Sequence, residues 1–351
     1  MTTITVNAEH CYPVVISNSW TKDLADRCID RTRVAVLVSA NFSPDLATLR
    51  NLDSELHVFE VPDGEEAKSI ATLTKVWNWL GAAGFTRSDL IVGIGGGAIT
   101  DLAGFIAASW LRGLDWIAVP TSLAGMVDAS VGGKTGINSD YGKNLIGAFH
   151  SPVAVLIDTE FLRTLSDRDM AAGMAEVIKC GFIADRAILE LASQHSVASL
   201  RENTAAISAL IQRAITVKAN VVSADFKESF AREALNYGHT LGHAIEMHSK
   251  YQLRHGEAVA IGLVYAAELA AARNLISQSE LELHRTILLA YELPVSFDRN
   301  AWQKLTPLLA LDKKARGKTI RFVALSGIGT TIRLEDLTSA ELDAAYERIS
   351  S

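Results

Sequence analysis

Polar side chains that can bind metal ions or anions recur at helical spacing in the second half of the sequence. They stand four, three and four residues apart: Arg232, Asn236, His239 and His243. On one helix of about 3.6 residues per turn, these intervals place all four side chains on one face. A helix face that packs on a core carries apolar residues instead. The stripe therefore predicts a continuous helix over 232–249 that faces a cavity filled by water or a ligand.

Two neighbouring segments add groups of the same kind. Glu176 and Lys179 are three residues apart on another predicted helix, so they share a face. His255 opens the segment that follows the stripe. One carboxylate and two imidazoles with an open fourth position form a common catalytic zinc site. By spacing alone, the imidazoles could come from His239 with His243 or from His239 with His255.

Two glycines lie within the stripe, directly before its histidines. They are Gly238 and Gly242. Each costs a helix about 0.5–1 kcal/mol relative to alanine. A sequence that keeps both indicates that another group comes close to this backbone.

A glycine-rich loop in the first half follows a predicted strand and opens a predicted helix. It reads Gly93-Ile-Gly95-Gly96-Gly97-Ala98, with Asp101 one turn later. Glycines let backbone N–H groups approach a phosphate, and a helix N-terminus favours an anion. The spacing satisfies the loose form of the dinucleotide fingerprint. The alternative is a glycine-rich turn that binds nothing.

A second loop places two lysines beside glycines. Lys134 follows Gly132-Gly133, and Lys143 follows Gly142. The string lacks the first glycine of a nucleotide-phosphate loop. Two cations and several backbone donors suit a compact phosphate or carboxylate better, and the alternative is a solvated basic turn.

The elements that position these groups divide into two kinds. The first half alternates helical patterns with short β-branched runs at 3–6, 12–16, 33–38, 56–61, 90–94, 116–119 and 153–157. From about residue 167, long helical patterns follow at 170–183, 205–222, 232–249 and 256–274, with late strand patterns at 319–324 and 330–334. We predict a Rossmann-like α/β domain with a mainly parallel sheet over 1–165, opened by an antiparallel hairpin, and a mainly α-helical domain over 166–351.

Composition excludes several classes of function. The net charge of -7 argues against a nucleic-acid-binding surface. Three cysteines are too few and too scattered for a disulfide framework. The N-terminal residues lack the pattern of a signal peptide, and no apolar run matches a membrane helix. We therefore expect a soluble, cytoplasmic protein with no membrane or nucleic-acid partner.

Successive segments of the chain, from about residue 60 to 315, resemble the signatures of 3-dehydroquinate synthases. They read GGGAITDLAGF, VPTSLAGMVDASVGGKTGIN, GKNLIGAFHSP, AGMAEVIK, REALNYGHTLGHAIE and RHGEAVAIG. The forms AFHSP, AITVKANVV and LNYGHTLGHAIE are most similar to actinobacterial members. Two positions depart from the usual pattern. Phe226 replaces a glutamate and is expected at the surface, and Ser39 replaces an acidic residue near the adenosine ribose.

The resemblance implies ligands for a zinc ion, with cobalt as a substitute, and this choice excludes His243: they are Glu176, His239 and His255. It also implies contacts with the substrate phosphate from Lys134, Asn144, His243, one lysine of Lys313 and Lys314, and, in a homodimer, the partner subunit's Arg112. Arg232 would bind the substrate carboxylate. The hydroxyls would meet Asp128, Lys179, Lys218 and Asn236.

The resemblance also implies a site for NAD within 1–165. Its residues would be Asn41, Glu65, Lys68, Gly95, Gly96, Gly97, Asp101, Thr121, Ser122, Asp128, Lys134, Lys143, Phe161 and Thr164. The implied reaction converts 3-deoxy-D-arabino-heptulosonate 7-phosphate to 3-dehydroquinate and phosphate, a step of the shikimate pathway. It proceeds by transient oxidation with NAD, phosphate elimination, reduction and an intramolecular aldol step. The alternatives are a sister cyclase acting on sedoheptulose 7-phosphate or glucose 6-phosphate, a metal-dependent polyol dehydrogenase, and a binding protein without activity.

Overall fold

The computed structural model describes residues 1–50, 53–227, 231–316 and 320–351, and of 310–316 it describes the backbone alone. Contacts divide the chain into two compact units. The first comprises Met1–Leu165 and Lys218–Lys227, and the second comprises Ser166–Val217 and Glu228–Ser351. The functional division into an NAD-binding domain over 1–165 and a metal- and substrate-binding domain over 166–351 remains a prediction.

A seven-stranded sheet forms the centre of the first unit. Its strands are β1 (Thr2–Asn7), β2 (Cys11–Ile16), β3 (Arg33–Ser39), β4 (Glu55–Val61), β5 (Leu90–Gly95), β6 (Asp115–Pro120) and β9 (Ala154–Ile157). They lie in the order β1-β2-β9-β6-β5-β3-β4. The β1–β2 pair is antiparallel and the other pairs are parallel. The predicted hairpin and mainly parallel sheet are confirmed.

The central strands β3, β5 and β6 are buried along almost their whole length, as expected for a parallel sheet with both faces covered. Among the described residues, the α-helices that lie wholly in the first unit are α1 (Trp20–Cys28), α2 (Ala47–Arg50), α3 (Ile70–Ala82) and α4 (Gly97–Ser109). Val34, Val36, Val92 and Ile117 lie in one core cluster with Leu24 of α1.

An antiparallel hairpin holds the residues that the sequence indicated as a lysine loop. Its strands are β7 (Lys134–Ser139) and β8 (Gly142–Phe149). Gly147 of β8 permits close packing of the two strands, because a Cβ on it would lie 2.3 Å from the Thr135 carbonyl oxygen. The ring of Phe226 packs on Phe149 with centroids 5.4 Å apart and is partly buried. Phe226 thus lies partly at the surface, as expected, and is partly covered by the hairpin.

The second unit is mainly helical, as predicted. Its helices are α5 (Asp167–Ile183), α6 (Arg186–Ala192), α7 (Val197–Glu202), α8 (Thr204–Ala224, which ends in the first unit), α9 (His239–His248), α10 (His255–Ala272), α11 (Gln278–Ala290), α12 (Trp302–Arg316) and α13 (Ser339–Arg348). A small hairpin joins β10 (Phe322–Leu325) to β11 (Thr331–Leu334). The predicted start of the first of these strands, residue 319, lies outside the described residues.

The predicted continuous helix over 232–249 is wrong. A 3₁₀ helix spans Ala231–Asn236, Gly238 then adopts a left-handed conformation with φ of 79°, and α9 begins at His239. His239 and His243 therefore share a face of α9, as predicted. Arg232 and Asn236 lie in the preceding 3₁₀ helix, so the argument from one helix face fails for them.

The two glycines of the stripe admit the backbone of α10, as their presence indicated. A Cβ on Gly238 would lie 2.8 Å from the backbone nitrogen of Leu263, and one on Gly242 would lie 3.2 Å from the carbonyl oxygen of Ala258. A Cβ on Gly262 would in turn lie 1.8 Å from the Gly238 carbonyl oxygen. Two helix backbones thus meet with no side chain between them, which fixes the spacing of α9 and α10.

One helix of the described chain, α8, passes a test of length and composition for a membrane span, with a mean hydropathy of 1.2. Of its tested window, 56% is buried inside the protein, and core helices of soluble proteins pass the same test. The helix is therefore weak evidence for a span.

Candidate active site

A carboxylate and two imidazoles converge in the second unit. Glu176 lies in α5, while His239 and His255 are the first residues of α9 and α10. Their ligand atoms all lie within 4.8 Å of one another. Glu176 Oε1 is 3.6 Å from His239 Nε2 and 3.4 Å from His255 Nε2. Of the two pairings that spacing left open, this group contains His239 with His255.

The second ring nitrogen of each histidine is held by an acceptor. Nδ1 of His239 lies 3.1 Å from the Tyr237 carbonyl oxygen. Nδ1 of His255 lies 3.0 Å from Glu246 Oε2. With Nδ1 of each ring directed at an oxygen, Nε2 of each ring faces Glu176 Oε1. Metal-binding histidines are usually held in this way.

This group fits a divalent ion such as zinc. Glu176 Oε1 is buried and has no hydrogen-bond partner among the described residues. Ligand atoms about 2.0–2.1 Å from a tetrahedral zinc ion are separated by about 3.4 Å. The measured separations of 3.4 and 3.6 Å agree with this value. An ion held by Glu176, His239 and His255 would satisfy the buried oxygen.

Local charges favour the protonation states that ligands need in Glu176 and His239. Burial raises the pKa of Glu176, but the positive charge of Lys179 and the neighbouring histidines outweigh it and hold that pKa well below its usual range. Burial and the charge of Lys179 lower the pKa of His239 well below its usual range. Burial also lowers the pKa of His255, but the carboxylates of Glu176 and Glu246 raise it to about 10. Without an ion, a protonated His255 supplies positive charge to the group.

Ion pairs hold together the starts of the two helices that carry Glu176 and His255. Arg168 of α5 pairs with Glu257 of α10 at 2.6 Å, and Arg254 pairs with Asp169 at 2.8 Å. A Cβ on Gly256 would lie 1.8 Å from the Ala172 carbonyl oxygen, so the helices touch one turn before Glu176 and at the residue after His255. This contact sets the distance between Glu176 and His255.

Other predicted residues of the second unit lie near this group along the chain. Lys179 is buried and donates a hydrogen bond to Glu176 Oε2. Arg232, also buried, and Asn236 belong to the 3₁₀ helix before α9. His243 is exposed, with its ring centroid 5.3 Å from that of His239. The side chains of Lys313 and Lys314 lie outside the described residues.

In the first unit, the glycine-rich loop connects β5 to the N-terminus of α4. A Cβ on Gly95 would lie 2.6 Å from the side chain of Ile99, and one on Gly97 would lie 2.9 Å from Ala129 Cβ. These glycines permit close packing of the helix. Gly96 has more room, with Ser122 Oγ the nearest atom at 3.5 Å. Thr121 donates its backbone N–H to the Gly95 carbonyl at 2.8 Å, which brings the turn after β6 beside the glycine-rich loop.

The buried Lys68, itself a predicted residue, connects two other predicted residues that are distant from it in sequence. Lys68 Nζ lies 2.6 Å from Asp101 Oδ2 and also donates a hydrogen bond to Asn144 Oδ1. Burial raises the pKa of Asp101, and the charge of Lys68 opposes this shift. Lys68 thereby links the start of α4 to the β7–β8 hairpin, where Asn144 adopts a left-handed φ of 57°.

The same hairpin carries the second predicted lysine. Asn138 donates from its backbone nitrogen to the Lys68 carbonyl at 2.8 Å and from its side chain to Glu65 Oε2 at 2.7 Å. Lys143 Nζ lies 3.8 Å from Glu65 Oε1. Lys134 is exposed at the start of β7. Of the predicted hairpin residues, Lys143 and Asn144 thus belong to one polar network with Glu65 and Lys68.

Lys218 and Asp128 form a second pair within the first unit. Lys218 Nζ donates to both the backbone oxygen and Oδ1 of Asp128. Asp128 lies in a π-helical turn over Gly125–Ala129. This pairing fixes the carboxylate of Asp128 although 90 residues separate the two in sequence.

The remaining predicted NAD residues are more scattered in the first unit. The Phe161 ring packs on Trp20 with centroids 5.5 Å apart. Thr164 donates its hydroxyl to the Phe161 carbonyl at 3.1 Å. Asn41 lies just after β3, beyond Ser39. Ser39 stands where the family resemblance leads one to expect an acidic residue. It donates its hydroxyl to Oδ1 of Asp63 at 2.7 Å, so the exposed carboxylate of Asp63 lies beside that position.

Arg112 lies on a strained, exposed turn after α4. Leu111 and Arg112 have φ of 49° and 70°, and Gly113 follows with φ of 126°. Two successive left-handed residues that are not glycine are uncommon. The role predicted for Arg112 in a partner's site remains a prediction.

Known proteins of two kinds are similar to this chain. A 2-epi-5-epi-valiolone synthase from Streptomyces hygroscopicus subsp. jinggangensis 5008, solved with NAD⁺ and Zn²⁺ bound, is 29% identical, with a TM-score of 0.90 over 99% of this chain and 98% of that one. A 2-deoxy-scyllo-inosose synthase complexed with carbaglucose-6-phosphate, NAD⁺ and Co²⁺ is 25% identical, with a TM-score of 0.85 over 99% of both chains. These likenesses define the fold class as that of the sugar-phosphate cyclases.

The sequence then identifies the family. Residues 58–172 match the 3-dehydroquinate synthase N-terminal family and residues 173–315 match the 3-dehydroquinate synthase C-terminal family. The 3-dehydroquinate synthase of Mycolicibacterium vanbaalenii is 46% identical over 99% of this chain and 98% of its own length. The chain belongs to the 3-dehydroquinate synthase family, and its resemblance to actinobacterial members is confirmed.

Glu246 is the residue of this site that the sequence did not indicate. It lies seven residues after His239 on α9, is buried, and faces His255. A glutamate on a helix is usually solvated. Its spacing of two turns from His239 is the signal that could have found it, because it places both residues on the side of α9 that meets α10.

A buried histidine behind the site makes a pH-dependent contribution to stability. His284 Nδ1 donates to the Glu280 carbonyl at 2.7 Å, so Nε2 accepts from the Tyr237 hydroxyl at 2.8 Å. The ring also stacks on Phe182. Burial lowers the pKa of His284 to about 4. The folded state therefore binds a proton less readily than the unfolded state, whose histidines titrate near 6.5.

Stability should accordingly fall as the pH drops from above 6.5 towards 4. Between pH 7.5 and 5.5 the expected loss from His284 is about 1.4 kcal/mol. The variant His284→Gln, which keeps a neutral donor and acceptor, should lack this contribution. Urea unfolding of both proteins in chelator, where the metal group contributes equally, measures the difference. Parallel pH profiles would contradict the assignment.

Proposed function

We propose that this protein converts 3-deoxy-D-arabino-heptulosonate 7-phosphate to 3-dehydroquinate and phosphate. The route is transient oxidation, phosphate elimination, reduction and an intramolecular aldol step. The observation that carries the proposal is the convergence of Glu176, His239 and His255, with one buried carboxylate oxygen of Glu176 unsatisfied among the described residues, in a member of the 3-dehydroquinate synthase family. The reaction places the protein in the shikimate pathway.

Two cofactors belong to the proposal. Segment 1–165 would bind NAD and segment 166–351 would bind zinc or cobalt, the cofactors of the cyclases with the same fold. The chemistry that they supply when bound is reversible hydride transfer and Lewis-acid polarisation of an oxygen. The open end of α4 beside Gly96 supports a pyrophosphate site, because helix N-termini favour anions.

The residues of this chain would position the substrate and stabilise its charges. Lys134, Lys143 and Asn144 present cations and an amide on one hairpin, which suits a phosphate that must be both bound and released. Arg232 suits a carboxylate because its guanidinium can bind both oxygens at once. Lys218 holds the carboxylate of Asp128 in place, where it would bind a hydroxyl of the substrate. Lys179 places its positive charge beside Glu176. Positioning and fixed charge supply most of the advantage in a site that performs several steps.

We also propose a cytoplasmic homodimer in which Arg112 acts in the partner's site. Arg112 is exposed on its strained turn, beside the exposed side chain of Leu111. Activity that recovers when Arg112→Ala chains are mixed with Lys134→Ala chains would support a shared site. Equal inactivity of the mixture would contradict it.

Phosphate release from 3-deoxy-D-arabino-heptulosonate 7-phosphate, with NAD and zinc present, tests the reaction directly. We expect release that stops after chelation, resumes with zinc, and leaves no accumulated NADH. Release from sedoheptulose 7-phosphate instead would assign the protein to the sister cyclases. Accumulation of NADH with a polyol would indicate a dehydrogenase, and both results would overturn the proposal.

A further inference from the structure

Glu246 lies behind the metal group, on the far side of His255 from Glu176. Its side chain is 4% exposed, and its Oε2 is 3.0 Å from His255 Nδ1. Glu176 Oε1 faces the other ring nitrogen at 3.4 Å. The imidazole is therefore held between two carboxylates, one on each nitrogen.

The two carboxylates stand at different distances, and this difference separates their roles. The distance of 3.0 Å between Glu246 and Nδ1 is that of a hydrogen bond. The 3.4 and 3.6 Å between Glu176 and the two Nε2 atoms are the spacing of atoms that share a tetrahedral ion. Glu246 is thus placed to accept a hydrogen bond from the Nδ1–H of His255, while Nε2 of the same ring is placed to bind the ion.

The backbone around Glu246 makes this placement rigid. Gly242, one turn earlier on α9, lies against Ala258 of α10, so the two helices are close-packed beside the pair. The Glu246 carbonyl accepts hydrogen bonds from Ser249 and Tyr251 at the end of α9. A carboxylate on this fixed backbone can restrain the ring that opens α10.

We propose that Glu246 is a positioning residue that fixes the tautomer and orientation of His255 for metal binding. The inference rests on the proposed function for the ion itself. A carboxylate that accepts from Nδ1–H selects the tautomer whose Nε2 takes the ion, increases the basicity of that nitrogen and removes the freedom of the ring to turn. The contribution of Glu246 is therefore expressed in metal affinity before any catalytic step.

The test is the affinity for zinc of Glu246→Gln, measured by competition with a chromophoric chelator, together with the zinc content per chain. We expect one ion per chain in both proteins and an affinity about 10–100-fold weaker in the variant. In the cobalt-loaded proteins, the visible ligand-field bands should shift, because the orientation of one ligand changes. Glu246→Asp, which keeps the charge on a shorter side chain, should bind zinc with intermediate affinity.

Glu268→Gln provides a matched control. Glu268 is a buried glutamate of α10 that pairs with Arg285 at 2.6 Å. Its loss should lower the melting temperature without changing zinc affinity. If Glu246→Gln and Glu268→Gln have similar melting temperatures but only Glu246→Gln binds zinc more weakly, the loss of affinity is not a consequence of lower stability.

The outcomes distinguish the inference from the function on which it rests. Unchanged zinc affinity and an unchanged cobalt spectrum in Glu246→Gln would overturn the inference. Two ions per wild-type chain and one in the variant would also overturn it, because Glu246 would then be a ligand, as its proximity to His243 and His255 permits. A wild-type protein that binds no zinc would instead overturn the proposed metal site. If the glutamine variant does not fold, the aspartate variant decides between the same outcomes.

Discussion

Replacing His239 with alanine is expected to abolish zinc binding and to lower turnover on the order of a thousandfold or more. The imidazole supplies one of three converging ligand atoms, and its Nδ1 is already committed to the Tyr237 carbonyl. Its low pKa keeps the ring neutral, so the substitution leaves no buried charge without a partner. The variant should therefore remain folded, and steady-state phosphate release with bound-metal analysis measures both effects.

His248→Ala is the matched control for this prediction. His248 lies on the same helix, where its ring contacts Phe297 at a centroid distance of 6.1 Å. It should retain zinc and turnover. Zinc retained at full stoichiometry in His239→Ala would remove His239 from the ligand set.

The variant Gly256→Ala is expected to destabilise the second unit by about 3 kcal/mol or more. The added Cβ would lie 1.8 Å from the Ala172 carbonyl oxygen and 2.5 Å from its carbonyl carbon. Both atoms are backbone, so the contact is relieved only if α5 and α10 separate. Because these helices carry Glu176 and His255, zinc affinity should fall together with stability. Urea unfolding with and without zinc measures both.

Helix propensity alone predicts the opposite sign, since alanine is favoured over glycine by about 0.5–1 kcal/mol within a helix. Gly81→Ala isolates that effect, because Gly81 lies in α3 with its nearest contact, Trp110 Cη2, at 3.4 Å. We expect Gly81→Ala to be neutral or slightly stabilising. An equally stable Gly256→Ala would mean that α5 and α10 do not meet as closely as described.

Local patterns in the sequence predicted the elements better than their junctions. The β-branched runs of β3 and β5 and the long helices α5 and α10 followed from periodicity, because each is continuous and deeply buried. The break at Gly238 did not, because its left-handed conformation is determined by the backbone of Leu263 on α10. A prediction from residue spacing assumes one continuous helix. In the sequence, a glycine that makes a tight tertiary contact looks the same as a glycine within a helix.

The candidate site was predictable to the extent that its residues are unusual for their surroundings. Histidines at helix starts and lysines among glycines are conspicuous in a sequence, and the family signatures then selected Glu176, His239 and His255. Glu246 was missed because only tertiary packing shows that it is buried. The links from Lys68 to Asp101 and Asn144 span 33 and 76 residues, and no local pattern encodes them.

The first compact unit is discontinuous in sequence, and this has a consequence for synthesis. Residues Lys218–Lys227 complete it, through the pairing of Lys218 with Asp128, a hydrogen bond of 3.0 Å from Asn7 N to Ser223 Oγ, and the packing of Phe226 on Phe149. A nascent chain that ends at Leu165 lacks all three contacts. At roughly 5–20 residues per second, the ribosome needs several further seconds to reach Lys227. During that interval Phe149 of the β7–β8 hairpin lacks the ring of Phe226. The growing chain is then open to binding by chaperones and to misassembly.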